Sequence, residues 1–99
     1  MSNYYKLLDK TSEELKQFIE RMIYATSARE IVRNYAYEIV VKEEIVSELE
    51  VREVQLTETE VEMLLSKENT LDFLYESWIK SSNTDLKGTE YAIAEAVGR

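Results

Sequence analysis

Apolar residues recur along this chain at the three-and-four spacing of an α-helix, and strict alternation never persists long enough to set up a strand. The first clear helix signal is Thr11-Ser12-Glu13-Glu14, where Thr11 and Glu14 stand at capping-box spacing. Leu15, Phe18, Ile19, Met22 and Ile23 follow at i, i+3, i+4, i+7, i+8 and predict one buried stripe. Tyr4, Leu7 and Leu8 fit a short helical lead-in that packs on it.

Ser27-Ala28-Arg29-Glu30 repeats the capping-box spacing and opens a second, longer helix, expected from about Ala28 to Leu49. Val32, Tyr35, Ile39, Val46 and Leu49 form a heptad-like seam interrupted by Lys42, and Ile31, Ala36, Val40 and Ile45 widen the apolar face. A helix apolar over so much of its circumference sits centrally and touches several partners. Its β-branched pairs, Val40-Val41 and Ile45-Val46, lower helix propensity by a few tenths of a kcal/mol per residue. Residues 50–56 read equally as an extended linker or a frayed last turn.

Thr57 and Glu60 make a third capping box, with Leu56 and Val61 placed as its hydrophobic staple. Val61, Leu64 and Leu65 are the inward side of a short helix ending near Lys67-Glu68-Asn69. Asn69 or Thr70 starts the next helix, in which Leu71, Leu74, Tyr75, Trp78 and Ile79 give another full helical set. Ser81-Ser82-Asn83-Thr84 breaks it and caps a last helix, with Leu86, Ile93 and Val97 inward and Ala92, Ala94 and Ala96 permitting close approach. Gly88 weakens the first turns of that helix by about 1 kcal/mol relative to Ala. The pattern predicts an all-α fold: a single domain over residues 1–99, built as a compact bundle of about five helices around one long central helix.

Composition narrows the function. The 99 residues include no Cys and no His, which removes thiol and imidazole chemistry, zinc thiolates and disulfides. Gly88 and Gly98 stand alone, so no Gly-rich phosphate loop exists. A diiron site built on Glu-x-x-His pairs is excluded with the histidines. No run approaches the roughly 18 apolar residues of a membrane span, and the N-terminus lacks the apolar core of a signal peptide, so a cytoplasmic address is expected. No carboxylate pair is marked out for acid–base work, and Ser and Tyr lack a recognisable activating base. The expectation is a non-enzyme with no catalytic residue, no cofactor and no metal.

The net charge of -8 argues against direct binding to nucleic acid or anionic lipid. Residues 38–62 carry nine glutamates against Lys42 and Arg52, a net of -7, so nearly all the excess charge sits in one quarter of the chain. Two readings stay open. The run is a solvated face that keeps a small protein soluble, or it is an acidic patch that docks on a basic surface. A carboxylate cation site is a weaker third, because the alternating Glu58, Glu60 and Glu62 lack the Asp-x-Asp-x-Asp-Gly loop of a calcium site. The docking reading assigns partner binding to Tyr37, Glu38, Glu43, Glu44, Glu48, Glu50 and Glu53, with Tyr37 as an anchor because it falls off the inward seam. Tyr35, Tyr75 and Trp78 lie on core stripes. Tyr4, Tyr5, Tyr24 and Tyr91 cannot be placed.

Ala36-Tyr37-Glu38, Lys42-Glu43-Glu44-Ile45, Leu49-Glu50, Leu56-Thr57 and Leu64-Leu65 together resemble a family of short, acidic, helical proteins carried on mobile elements of Gram-positive bacteria. Glu44 replaces that family's usual Asp. The resemblance covers about half the chain and implies a setting more than a reaction. By analogy, small acidic proteins of phages and other mobile elements include inhibitors of host defence, anti-CRISPR proteins among them. The function this suggests is an inhibitor whose acidic stretch blocks the basic nucleic-acid-binding surface of another protein, such as a Cas nuclease. The alternative is an accessory or structural protein that works as a homodimer.

Overall fold

The computed structural model describes residues 3–25, 27, 29, 35–51, 55–80 and 89–98. Among these it contains five helices and no strand: α1 (Asn3–Ala25), α2 (Ala36–Val51), α3 (Glu58–Leu65), α4 (Thr70–Lys80) and α5 (Thr89–Ala96). The fold is all-α; α2 packs on α1, α4 and α5, but α1 and α4 each pack on three helices as well, and the longest described helix is α1, with 23 residues against 16 in α2. Most of the expected start of that helix, Ala28 and residues 30–34, lies outside the described residues, as do Gly88, Leu86 and the expected cap at 81–84. The radius of gyration is 13.4 Å, close to the ~13 Å of a globule of this length.

The core joins all five helices. Leu7 of α1, Val41, Ile45, Val46 and Leu49 of α2, Val61 and Leu64 of α3, Leu71, Leu74 and Trp78 of α4, and Ala92 and Ile93 of α5 form one buried cluster. Ser77 Oγ donates to the Ala92 carbonyl at 2.9 Å and ties α4 to α5. Val97 follows α5 half-buried, and Gly98 takes a φ of +91°, a left-handed conformation open to glycine.

The first helix departs from its expected form. Asn3–Ala25 is continuous, with no start at Thr11. Thr11 is buried and its hydroxyl donates back to the carbonyls of Leu7 (2.9 Å) and Leu8 (3.2 Å), which keeps the residue helical instead of capping. The buried face runs through Leu7, Thr11, Glu14 and Phe18, and Ile23, expected inside, is 60% exposed. The inward face is thus rotated from the purely apolar stripe, because two of its positions are polar.

Those polar positions hold the α3–α4 turn. Both Glu14 carboxylate oxygens accept from the first amides of α4, from Thr70 N–H (2.9 Å) and Leu71 N–H (3.0 Å). One turn earlier on α1, Lys10 Nζ donates to the Leu65 and Lys67 carbonyls at the end of α3, and to Thr70 Oγ1 at 2.9 Å. Thr70 Oγ1 in turn donates to the Leu64 carbonyl at 2.7 Å. The i,i+4 pair Lys10 and Glu14 therefore sets a cation at one helix C-terminus and an anion at the next N-terminus, the signs that helix dipoles favour.

Other starts and stops follow the pattern. The Thr57–Glu60 capping box forms in both directions (2.8 and 3.2 Å), and the chain is extended at Thr57. Leu56 is half-buried and packs on the cluster that contains Val61, as a staple requires. α3 stops at Leu65 with Ser66 as its C-cap, slightly earlier than expected, and Leu65 is only half-buried. Asn69 Oδ1 accepts from Asp72 N–H at 3.0 Å, the N-cap bond of α4. Ile79, expected inward, is 53% exposed.

Candidate functional site

Two features could carry function: a buried lysine at the floor of an open cleft, and the acidic outer side of α2 with the start of α3.

Lys42, read from the pattern as an interruption of an apolar seam, points into the protein with 1% of its surface exposed. Its ammonium lies 2.6 Å from Asp72 Oδ1 and 2.8 Å from Glu38 Oε2. It also sits 3.8 Å above the Phe18 ring centroid, with the Tyr75 ring 5.5 Å away. One ammonium thus joins α1, α2 and α4. Buried charge persists where it is paired and where aromatic faces supplement the pairing. Tyr75 shows the cost of this setting, since burial pushes its phenol pKa up, and the nearby Glu38 and Tyr37 add to the rise. The cleft above Lys42 is about 560 Å³, lined by Phe18, Arg21, Met22, Tyr24, Glu38 and Asp72. Both carboxylates that line the cleft are turned to Lys42.

The carboxylates expected to bind a partner are distributed as follows. Glu43 and Glu50 are exposed on α2, and Glu44 and Glu48 are half-buried. Glu38 is turned to Lys42, with its side chain 24% exposed. Glu53 lies outside the described residues. Tyr37 is 53% exposed, yet its ring meets that of Trp78 with centroids 5.4 Å apart and planes tilted by 57°. It is a half-open aromatic braced from behind. Trp78 itself is buried and stacks on Tyr75 at 6.2 Å, in line with the core role read for both.

The start of α1 decides where the acidic segments meet. Tyr4 Oη donates to the Leu49 carbonyl at the end of α2, and Asn3 Nδ2 donates to Glu58 at the start of α3. Neighbouring positions on one helix thus hold the C-terminal end of α2 beside the N-terminal end of α3. Exposed Glu50, Glu58 and Glu62 and half-buried Glu48 consequently share one end of the bundle. Sequence reading located the charge but could not see this tie, because its partners are 45 and 55 residues apart.

Among the described residues no group of three carboxylates is arranged to hold a metal ion, and no helix is long and apolar enough to cross a membrane. No family model, curated protein or solved structure matches the chain.

Proposed function

We propose that this protein is a non-catalytic binding inhibitor of the kind mobile elements carry, and that its acidic end occupies a basic nucleic-acid-binding surface on a host-defence protein such as a Cas nuclease. The observation that carries the reading is the double tie from Asn3 and Tyr4, which gathers glutamates of α2 and α3 at one end of the molecule. Clustered charge of one sign steers association and selects a partner of opposite sign. Glu48 and Glu50 at that end, with Glu43 and Glu44 farther along α2, stand in for phosphates, and Tyr37, near the opposite end of the helix, anchors the far edge of the contact. Glu38 holds Lys42 and so belongs to the scaffold more than to the contact. The likeness at Ala36-Tyr37-Glu38 and Leu49-Glu50 to mobile-element proteins supports the setting.

The test is capture of a purified Cas nuclease by the immobilised protein across a salt series. Retention should fall steeply as salt rises. Replacing Glu43, Glu44, Glu48 and Glu50 together with Gln should weaken binding by about a hundredfold, at roughly 0.5–1 kcal/mol for each contact. Retention unchanged by the four substitutions overturns the proposal.

A further inference from the structure

Glu43, Glu44, Glu48 and Glu50 of α2 do not form an unbroken acidic sheet. Tyr37, Val40, Glu44, Ser47 and Val51 follow one another at steps of three and four residues, so they line one side of the helix as a seam. That seam faces outward: Tyr37 is 53%, Val40 46% and Val51 59% exposed, and Ser47 is exposed as well. It is distinct from the inward seam of Val41, Ile45, Val46 and Leu49. Exposed Glu43 and Glu50 border it on one side, half-buried Glu48 lies on the other, and Glu44 stands within it. A phosphate mimic needs only the carboxylates. Carboxylates alone do not account for the alignment of two exposed valines with the tyrosine along one side of the helix.

We infer that this side of α2 docks a basic amphipathic helix, its apolar stripe laid along Tyr37, Val40 and Val51 and its Lys or Arg residues set against Glu43, Glu44 and Glu50. The inference rests on the acidic docking surface proposed above and names its partner. Charge complementarity selects the occupant. A second copy of this chain fits badly, because a parallel pair sets Glu44 on Glu44 and brings two molecules of net charge -8 together. A basic helix turns every one of these charges into a favourable neighbour, in the arrangement by which flanking charges choose coiled-coil partners. The seam spans residues 37–51, roughly 21 Å at 1.5 Å per residue, or about four turns of partner.

The experiment titrates the full chain with a labelled peptide of roughly 16 residues, carrying Leu at the seam positions and Lys beside them, followed by fluorescence anisotropy. A scrambled peptide of the same composition, unable to form an apolar stripe, is the control. The amphipathic peptide should bind at least about tenfold more tightly than the scrambled one. Val40→Ser with Val51→Ser, both at exposed positions and neutral in charge, should erase that advantage and leave the salt dependence in place. Glu43→Gln with Glu50→Gln should remove most of the salt dependence. Equal binding of the two peptides, or no effect of the valine substitutions, overturns the inference while leaving the acidic surface intact. Binding of neither peptide at low salt overturns both. If sedimentation shows a dimer that Val40→Ser/Val51→Ser splits into monomers, a second copy is the occupant and the basic helix is wrong.

Discussion

Two lysines, Lys10 half-buried and Lys42 fully buried, are used by the protein in opposite ways. Lys10 is spent on backbone. It bonds carbonyls at the end of α3, with Glu14 one turn away bonding amides at the start of α4. Lys42 is spent on side chains, the carboxylates of Glu38 and Asp72 and the ring of Phe18. In the first group, charge answers helix ends that would otherwise be buried without partners. In the second, the only need met is the one that burying the ammonium creates. Interchangeability follows from this difference. A group that satisfies backbone cannot be replaced by an apolar one, whereas a self-contained ion pair often can.

The largest effect should come from Glu14. Glu14→Ala strips both amide caps from α4 and leaves Lys10 without its i+4 carboxylate. Lost charge-assisted bonds to buried amides should cost about 3 kcal/mol, read from urea denaturation. Glu14→Gln keeps the shape and one accepting oxygen, so it should lose about half as much. A loss below about 1 kcal/mol for the alanine variant would show that water replaces the carboxylate and that the contrast with Lys42 is false.

Lys42→Met comes next, at about 1–2 kcal/mol. Methionine keeps the apolar stem, and the two stranded carboxylates can hydrate, since the Glu38 and Asp72 side chains are 24% and 49% exposed. Adding Glu38→Gln and Asp72→Asn removes their mutual repulsion and should return part of that stability. If the triple variant is less stable than Lys42→Met alone, the ion pairs are not what these side chains supply. The same urea series reads both groups, so their ranking is a direct test of the comparison.

The two groups also mark how far the residues could be read without the fold. The Thr57–Glu60 box was legible because both halves of its bond lie within four residues, and it forms as expected. Thr11 and Glu14 have the same spacing and do something else, because the amides that claim Glu14 lie 56 and 57 residues away. Reading Thr11 and Glu14 as a capping box leaves the inward face of α1 to the apolar stripe alone, which takes in the exposed Ile23. Lys42 looked like a flaw in a seam for the same reason. Its partner on α4 is 30 residues distant. On the acidic surface, composition located the charge, but Val40 was expected to widen the inward face. Only the packing of α2 on α1, α4 and α5 turns it outward and exposes the seam.

The smallest effect separates the two groups by pH. Tyr75 lies against the Lys42 group, and its phenol pKa stands above the ordinary value of 10.0, chiefly through burial and then through Glu38 and Tyr37. The folded chain therefore holds the phenol proton more firmly than the unfolded chain does. Below pH 10 both states keep it, and Tyr75 adds no pH dependence. As pH rises past 10 the unfolded state ionises first, which favours unfolding, so stability declines until the folded phenol also ionises. Tyr75→Phe should flatten this alkaline decline relative to wild type and leave the profile near neutrality unchanged. Glu38→Gln should shrink the decline by less than Tyr75→Phe does, because burial and not the carboxylate leads the shift. Denaturation midpoints between pH 8 and 11 for the three proteins would check this, and identical slopes for wild type and Tyr75→Phe would show that the Lys42 group leaves the phenol undisturbed.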